Sequence, residues 1–478
     1  MYRFTLLLCC LAASAMDAAV AVRTATPNIV FILIDNCGKE WVGAYGSEEN
    51  CTPNIDRLAR GGLLVSNCYT PVVCGPSRTV ALTGRYLLRS GFTYHHDAGL
   101  YSGGGLDPAR EITFARPLRE AGYATAIAGK WQINNLYDEP GVMTRHGFDE
   151  SLLCPLSIDR DRVGQTEFDH YMQRVLADDA DYTSQFITKI ENRYWDPVLM
   201  RNGVREKHPG KFGPDVVQEF AIDFMRRHRD RPFLLYYPMF LTHGKSFTEH
   251  VVPTPLNREA KRDEHGRYAD MVRYTDKLVG DLVAALEREG LRDNTIVFIA
   301  TDNGTHTTLS AKANGRVVKG GLYTLSEPGG NVPLIVNSPK LVPGGRILPL
   351  ADFSDLFPTF CELAGARLPN DRVLDGQSFA AAVRGERFTG RTWMFNQYGR
   401  ERVVSDGRYK LWGDGRLYDL TADFFEQQDL RASQDDRHLA VKRTLQAALD
   451  KLPPDAAPPF LLRSQSIFRA RTAARQER

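Results

Sequence analysis

The chain has 478 residues, 43% of them hydrophobic and 25% charged, with a formal net charge of +2. That balance excludes a disordered chain and leaves room for one large domain plus a smaller one. The near-neutral charge gives no overall attraction to nucleic acid or to an anionic membrane, so no nucleic-acid partner is expected and recognition must come from local sites.

The N-terminus carries Arg3, an apolar run from Phe4 to Ala13, and small-residue cleavage patterns at Ala13 to Ala15 and Ala19 to Ala21. This reads as a secretory signal over residues 1–21, too short to span a bilayer. The run before Cys9 and Cys10 is short for a lipoprotein anchor. No later segment has the length of a membrane span, so a periplasmic or secreted protein is expected. No C-x-x-C pair occurs among the eight cysteines, which argues against a structural zinc site.

Residues 28–34 (NIVFILI) form a continuous β-branched run of strand length, as expected of a strand buried on both faces, and lead into Asp35 and Asn36. Cys74 then opens a segment in which Pro76 suits a first helical position, Thr79 to Thr83 continue the turn and Gly84 ends it. Cys74 would face an anion at that helix N-terminus. Residues 155–213 lack a clear period and carry many charges with Trp195 among them, which reads as a loop forming a wall of the substrate cleft.

Pro214 and Asp215 open a predicted helix to His228, and residues 233–237 follow as a strand ending at Pro238. Met271, Tyr274, Leu278, Leu282 and Leu286 recur at helical spacing, and Gly290 closes that helix. Residues 294–301 (NTIVFIAT) repeat the first strand's design and lead into Asp302, Asn303 and Gly304. The alternation predicts an α/β fold with a large, mostly parallel central sheet flanked by helices. Ligands in such sheets bind beyond the carboxyl ends of the strands. Either Asp-Asn pair alone reads as a turn; two of them can converge on one cation.

The domain reading is signal peptide 1–21, catalytic domain 22–388, and a C-terminal subdomain with a basic tail over 389–478. That last unit holds a strand-like pair at 402–412 and 415–420, a helix at about 437–452, and a Pro- and Arg-rich solvated tail from Pro453. No internal repeat is present.

The segment Cys74, Pro76, Ser77, Arg78, Leu82, Thr83, Gly84 and Arg85 matches the pattern C-x-P-S-R-x-x-x-L-T-G-R at every fixed position. In this the chain resembles the type I, formylglycine-dependent sulfatases of the alkaline-phosphatase-like superfamily. The resemblance runs from about Pro27 to Leu430. It includes Thr52 to Ala59, Ala121 to Ala126, Gly129 to Trp131, Pro232 to His243, Asp302 to Gly304, Leu374 to Gly376 and Leu417 to Leu420.

The resemblance implies an alkaline-phosphatase-like fold with a C-terminal four-stranded antiparallel sheet. It implies that Cys74 is converted to formylglycine by a formylglycine-generating or sulfatase-maturating enzyme. It implies one Ca2+ (or Mg2+) held by Asp35, Asn36, Cys74, Asp302 and Asn303, with Arg78 holding the hydrated aldehyde and Lys130 and His243 contacting the sulfate. The implied substrate is a sulfate ester, most often of a saccharide. The same fold and modified cysteine also serve phosphodiesterases and phosphonate monoester hydrolases, and a non-catalytic sulfated-glycan binder is a third reading. With Cys74 modified, Cys37, Cys51, Cys68, Cys154 and Cys361 remain, enough for two disulfides at most.

Three positions depart from the family pattern. Asn36 stands where a second Asp is common, which removes one negative charge from the metal site while keeping an oxygen ligand. Gln132 stands where His is common, and glutamine cannot act as an acid. Leu322 stands where a pocket lysine is usual, and Lys319, just before Gly320 and Gly321, is the expected substitute. His95, His96, Asp97 and His306 match no motif and read as loop residues.

Overall fold

The computed structural model describes residues 26–94, 105–156, 163–176, 193–243, 252–259 and 261–457. Residues 1–25, which include the expected signal peptide, His95 to Asp97, and the tail from residue 458 onward lie outside them. The main sheet is built from β1 (Asn28–Ile34), β2 (Leu63–Tyr69), β3 (Ala124–Lys130), β4 (Glu150–Cys154), β5 (Val198–Arg201), β6 (Val204–Lys207), β7 (Phe233–Pro238) and β8 (Thr295–Thr301). After a small hairpin of β9 (Ser310–Ala313) and β10 (Arg316–Lys319), it is completed by β11 (Asn331–Val332), β12 (Leu334–Asn337) and β13 (Arg346–Asp352). The order is β11-β2-β12-β8-β1-β7-β3-β4-β5-β6, with β13 beside β2. The centre, β8-β1-β7-β3-β4, is parallel, and antiparallel strands flank it on both sides.

All seven residues of β1 are buried, because helices cover both faces of the sheet. Alternate side chains serve opposite cores. Val30, Ile32 and Ile34 pack with the helices Gly213–Arg227 and Glu264–Arg288. Ile29, Phe31 and Leu33 pack with Cys74–Thr83 and Leu356–Ala364. In the second core Phe31 stacks on Tyr236 at 5.3 Å, and Phe114 and Phe360 close around it.

The expected long helix is longer than its apolar stripe, because Asp263 caps it by accepting from the Gly266 amide. The signature helix begins at Cys74 itself rather than at Pro76, with Val73 extended before it and left-handed Gly84 after it. The segment 155–213, read from sequence as an irregular loop, contains the helix Gln165–Leu176 and the hairpin β5–β6 on the sheet edge. Its turn is Asn202 and Gly203, both at positive φ, an Asn-Gly hairpin signal that four-residue strands made easy to miss.

The C-terminal subdomain is a four-stranded antiparallel sheet of β14 (Met394–Tyr398), β15 (Glu401–Ser405), β16 (Tyr409–Trp412) and β17 (Leu417–Asp419), covered by the helix Asp436–Leu449. The single strand expected over 402–412 is in fact two. Gly407 at φ +92 turns the chain, and Asp406 accepts from the amides of Arg408 and Tyr409. All six cysteines among the described residues are free and buried, so no disulfide forms there. Among the described residues no helix is long and apolar enough to cross a membrane.

At Gly129 the backbone is left-handed, φ +127, and a Cβ there would stand 2.0 Å from the Pro238 carbonyl oxygen of β7. Only glycine permits this close approach at the end of β3, immediately before Lys130. Gly129→Ala is expected to destabilise the protein by about 3 kcal/mol or more in urea unfolding, through combined backbone strain and a backbone clash.

Candidate active site

Three parallel strands and one helix deliver their ends to one buried point. β1 leads into Asp35 and Asn36, β3 ends in Lys130, β8 leads into Asp302 and Asn303, and the signature helix starts at Cys74. Every one of these side chains, and Arg78, is at most 3% exposed. Cys74 Sγ lies 3.3 Å from Asp35 Oδ1 and 3.2 Å from Asn36 Oδ1. Lys130 Nζ donates to both Asp35 oxygens, at 3.0 and 2.8 Å. Arg78 donates to Asp302 Oδ2 at 2.6 Å and to the Lys130 carbonyl at 3.1 Å.

The electrostatics follow from this pairing. Burial opposes the charge of Asp35, but Lys130, with His243, Arg78 and Arg193, outweighs it and holds the carboxyl below its usual range. Burial and the neighbouring Asp35 push Asp302 up to about 6 against the pull of Arg78. Burial disfavours the Lys130 ammonium, yet Asp35 and Cys74 raise it overall. The Cys74 thiol is pushed well above its ordinary value by burial and by Asp302. As a thiol, Cys74 is therefore protonated and a poor nucleophile.

The donor set fits a hard divalent cation. Oxygens of Asp35 and Asp302 and the sulfur of Cys74 lie within 4.8 Å of one another. Asn303 Oδ1 is buried with no hydrogen-bond partner, as expected of an oxygen whose partner is an ion. Asn36 has φ +52, a backbone that asparagine tolerates well, which gives a local reason for the carboxamide at this position.

The Asp35 amide donates to Leu241 O and the Thr242 amide to Asp35 O, each at 2.9 Å, and the next residue, His243, is near enough for its charge to lower Asp35. Lys319 does not join it. It is exposed at the end of β10, opposite Ser310, and no contact links it to the cluster. Leu322 is buried and bonds through its amide to Thr305 O, so the usual lysine position is apolar here. His306 bonds Thr308 at the surface. Sequence reasoning missed Arg193, a buried cation whose charge acts on Asp35 and Lys130, because no motif marks it. It also missed Thr70, whose hydroxyl donates to Asp302 O, and Tyr268, which donates to Asn36 O.

A separate cavity of about 370 Å³ lies between the β9–β10 hairpin and the C-terminal sheet, lined by Lys39, Glu40 and Glu327 among others, and includes none of these residues. Glu40 is buried beside Gly38, whose amide bonds Thr305.

A parallel sheet that gathers carboxylates, carboxamides, two cations and a helix N-terminus at its carboxyl edge defines an alkaline-phosphatase-like hydrolase of anionic esters. The chain matches the family model described as Sulfatase over residues 27–366, and it belongs to that family. It is 32% identical over 444 residues to the steryl-sulfatase of Mus musculus, covering 80% of this chain and 70% of that one. It is 32% identical over 420 residues to the N-acetylgalactosamine-6-sulfatase of Canis lupus familiaris, covering 84% and 74%. The solved structure of Ps i-CgsB with k-i-k-neocarrahexaose is similar with a TM-score of 0.71 and 25% identity, covering 95% of this chain and 99% of that one. The enzyme is a sulfuric ester hydrolase.

Burial pushes Glu40 up to about 7 from 4.5, despite a hydrogen bond from Thr305. The folded state thus holds this proton more tightly than the unfolded chain, so its contribution to stability falls as pH rises from about 4.5 to about 7. Glu40→Gln is expected to unfold at higher denaturant than the unsubstituted protein above pH 7, by up to about 3 kcal/mol, and to match it near pH 4.5.

Proposed function

We propose that the protein is an exported sulfatase, periplasmic or secreted, that cleaves the S–O bond of a saccharide sulfate ester at Cys74 matured to formylglycine, with Ca2+ bound beside it. The observation that carries this reading is the contact of Cys74 Sγ with Asp35 and Asn36 at the start of a helix. The buried, protonated thiol is unsuited to attack as it stands. A hydrated aldehyde at this position supplies two hydroxyls on one carbon, one to attack and one to release the sulfate by collapse. The saccharide preference is supported by the oligosaccharide named in the complex of the similar Ps i-CgsB.

Asp35, Asn36, Asp302, Asn303 and the matured Cys74 would hold the cation. Bound there, it supplies positive charge that polarises a sulfate oxygen and favours ionisation of a hydroxyl. Arg78, anchored on Asp302 and the Lys130 carbonyl, presents a fixed guanidinium that would bond the hydrated aldehyde of the matured residue 74. Lys130 Nζ, now on Asp35, is the nearest ammonium for the sulfate oxygens. His243, half-buried and near enough for its charge to act on Asp35, is the group suited to deliver a proton to the departing alcohol. Arg193 adds a third buried cation, beside Lys130 and Arg78, to the surroundings of the bound anion.

The peptide containing Cys74, isolated after co-expression with a maturation system, is expected to show the mass of an aldehyde in place of the thiol. Cys74→Ala should reduce sulfate release from a sulfated saccharide by at least roughly a thousandfold; full activity in that variant would refute the reading. Phosphate diesters and phosphonate esters tested on the same preparation should turn over more slowly than the sulfate ester. A chelator is expected to abolish turnover, and added Ca2+ to restore it.

A further inference from the structure

The chain leaving β3 carries one side chain that the steps above do not use. Gln132, two residues beyond Lys130, is 7% exposed and adopts a left-handed backbone at φ +67. Its Oε1 is buried without a hydrogen-bond partner. A non-glycine residue in this conformation and a buried unpaired amide oxygen are each unfavourable. Both fall on one residue, and neither serves the turn. Trp131 packs against His146 with ring centroids 5.1 Å apart and donates to Asn134 Oδ1, and Ile133 is buried in the same core. The neighbours thus hold the turn, and the carboxamide oxygen makes no hydrogen bond that would fix it there.

We infer that Gln132 Oε1 accepts a hydrogen bond from the alcohol part of the substrate. The donor is a hydroxyl or amide N–H on a carbon adjacent to the one bearing the sulfate. This rests on the sulfatase reading above and narrows it. Gln132 follows Lys130 by two residues at the carboxyl end of β3, where the strand ends carrying Asp35 and Asp302 also gather, so its carboxamide leaves the same edge of the sheet as the ammonium assigned to the sulfate. An acceptor that cannot give up a proton has no part in expelling the alcohol. It discriminates instead: a saccharide sulfate satisfies it, while an aryl or steryl sulfate, which has no such donor, leaves it unpaired in the complex. Sites built to bond a substrate hydroxyl reject analogues that lack it far more strongly than apolar pockets reject a changed methylene.

Three substrates separate the possibilities: a monosulfated pyranoside with a free hydroxyl beside the sulfate, its deoxy analogue lacking that hydroxyl, and 4-nitrophenyl sulfate. The wild-type enzyme is expected to favour the hydroxylated sugar over the deoxy sugar in kcat/KM by about tenfold to a hundredfold. In Gln132→Met that preference should fall to near unity, with turnover of 4-nitrophenyl sulfate and the thermal midpoint unchanged or raised. Equal losses on all three substrates, or a wild type indifferent to the hydroxyl, would overturn the inference. A wild type that cleaves none of the three would overturn the activity itself, and this inference with it.

Discussion

The ion pairs that Lys130 and Arg78 make with Asp35 and Asp302 are the contacts on which the architecture depends. All four side chains are at most 1% exposed. Any one of them buried alone would cost several kcal/mol, and removing a partner strands the other charge. They come from positions 35, 78, 130 and 302, so no local segment can satisfy them. Only a sheet that sets β8, β1 and β3 within reach of each other, with the signature helix over their ends, brings the four together. The cluster is thus both a demand on the fold and the place where we propose the chemistry occurs.

The rest of the molecule holds those ends still. The carbonyl of Leu241 and the amide of Thr242 clamp Asp35 from the end of β7. Thr70 ties β2 to Asp302, and Asn396 of the C-terminal sheet donates in turn to the Thr70 carbonyl. Lys410 of that sheet, fully buried, bonds Glu327, Glu426 and the Leu325 carbonyl, so the small subdomain is fastened by charge as well as by apolar packing. Beneath the site the aromatic layer of Phe31, Tyr236, Phe114 and Phe360 gives the strand ends a rigid floor. Rigid support of this kind lets electrostatic groups act without reorganising.

Much of this was legible in the residues. The apolar runs of β1, β7 and β8, the helical stripe before Gly290, and the Asp-Asn pairs at two strand ends all carry periodicities that one sequence suffices to read. The hairpin β5–β6 and strand β14 were not seen, because strands of four or five residues carry too few alternations to stand out from loop. Gln132 was visible only as a departure from a pattern. Its left-handed backbone and unpaired oxygen required the tertiary arrangement. The same holds for Arg193, which no spacing marks and which matters because the fold buries it near Asp35.

By itself the sequence determined the reaction class, because the motif from Cys74 through Arg85 is a local pattern that carries the resemblance to sulfatases, with acidic strand ends beside it. It also determined the central parallel layout, because hydrophobic period reports burial on one face or two. Only the tertiary structure decided which cations stand near Asp35 and Cys74. Lys319 is three residues from the expected position in sequence, yet it ends on an exposed hairpin. Arg193 is far from both Asp35 and Lys130 along the chain, yet its charge reaches both. Charge acts through space, and proximity in space is set by strand order, which no single segment encodes.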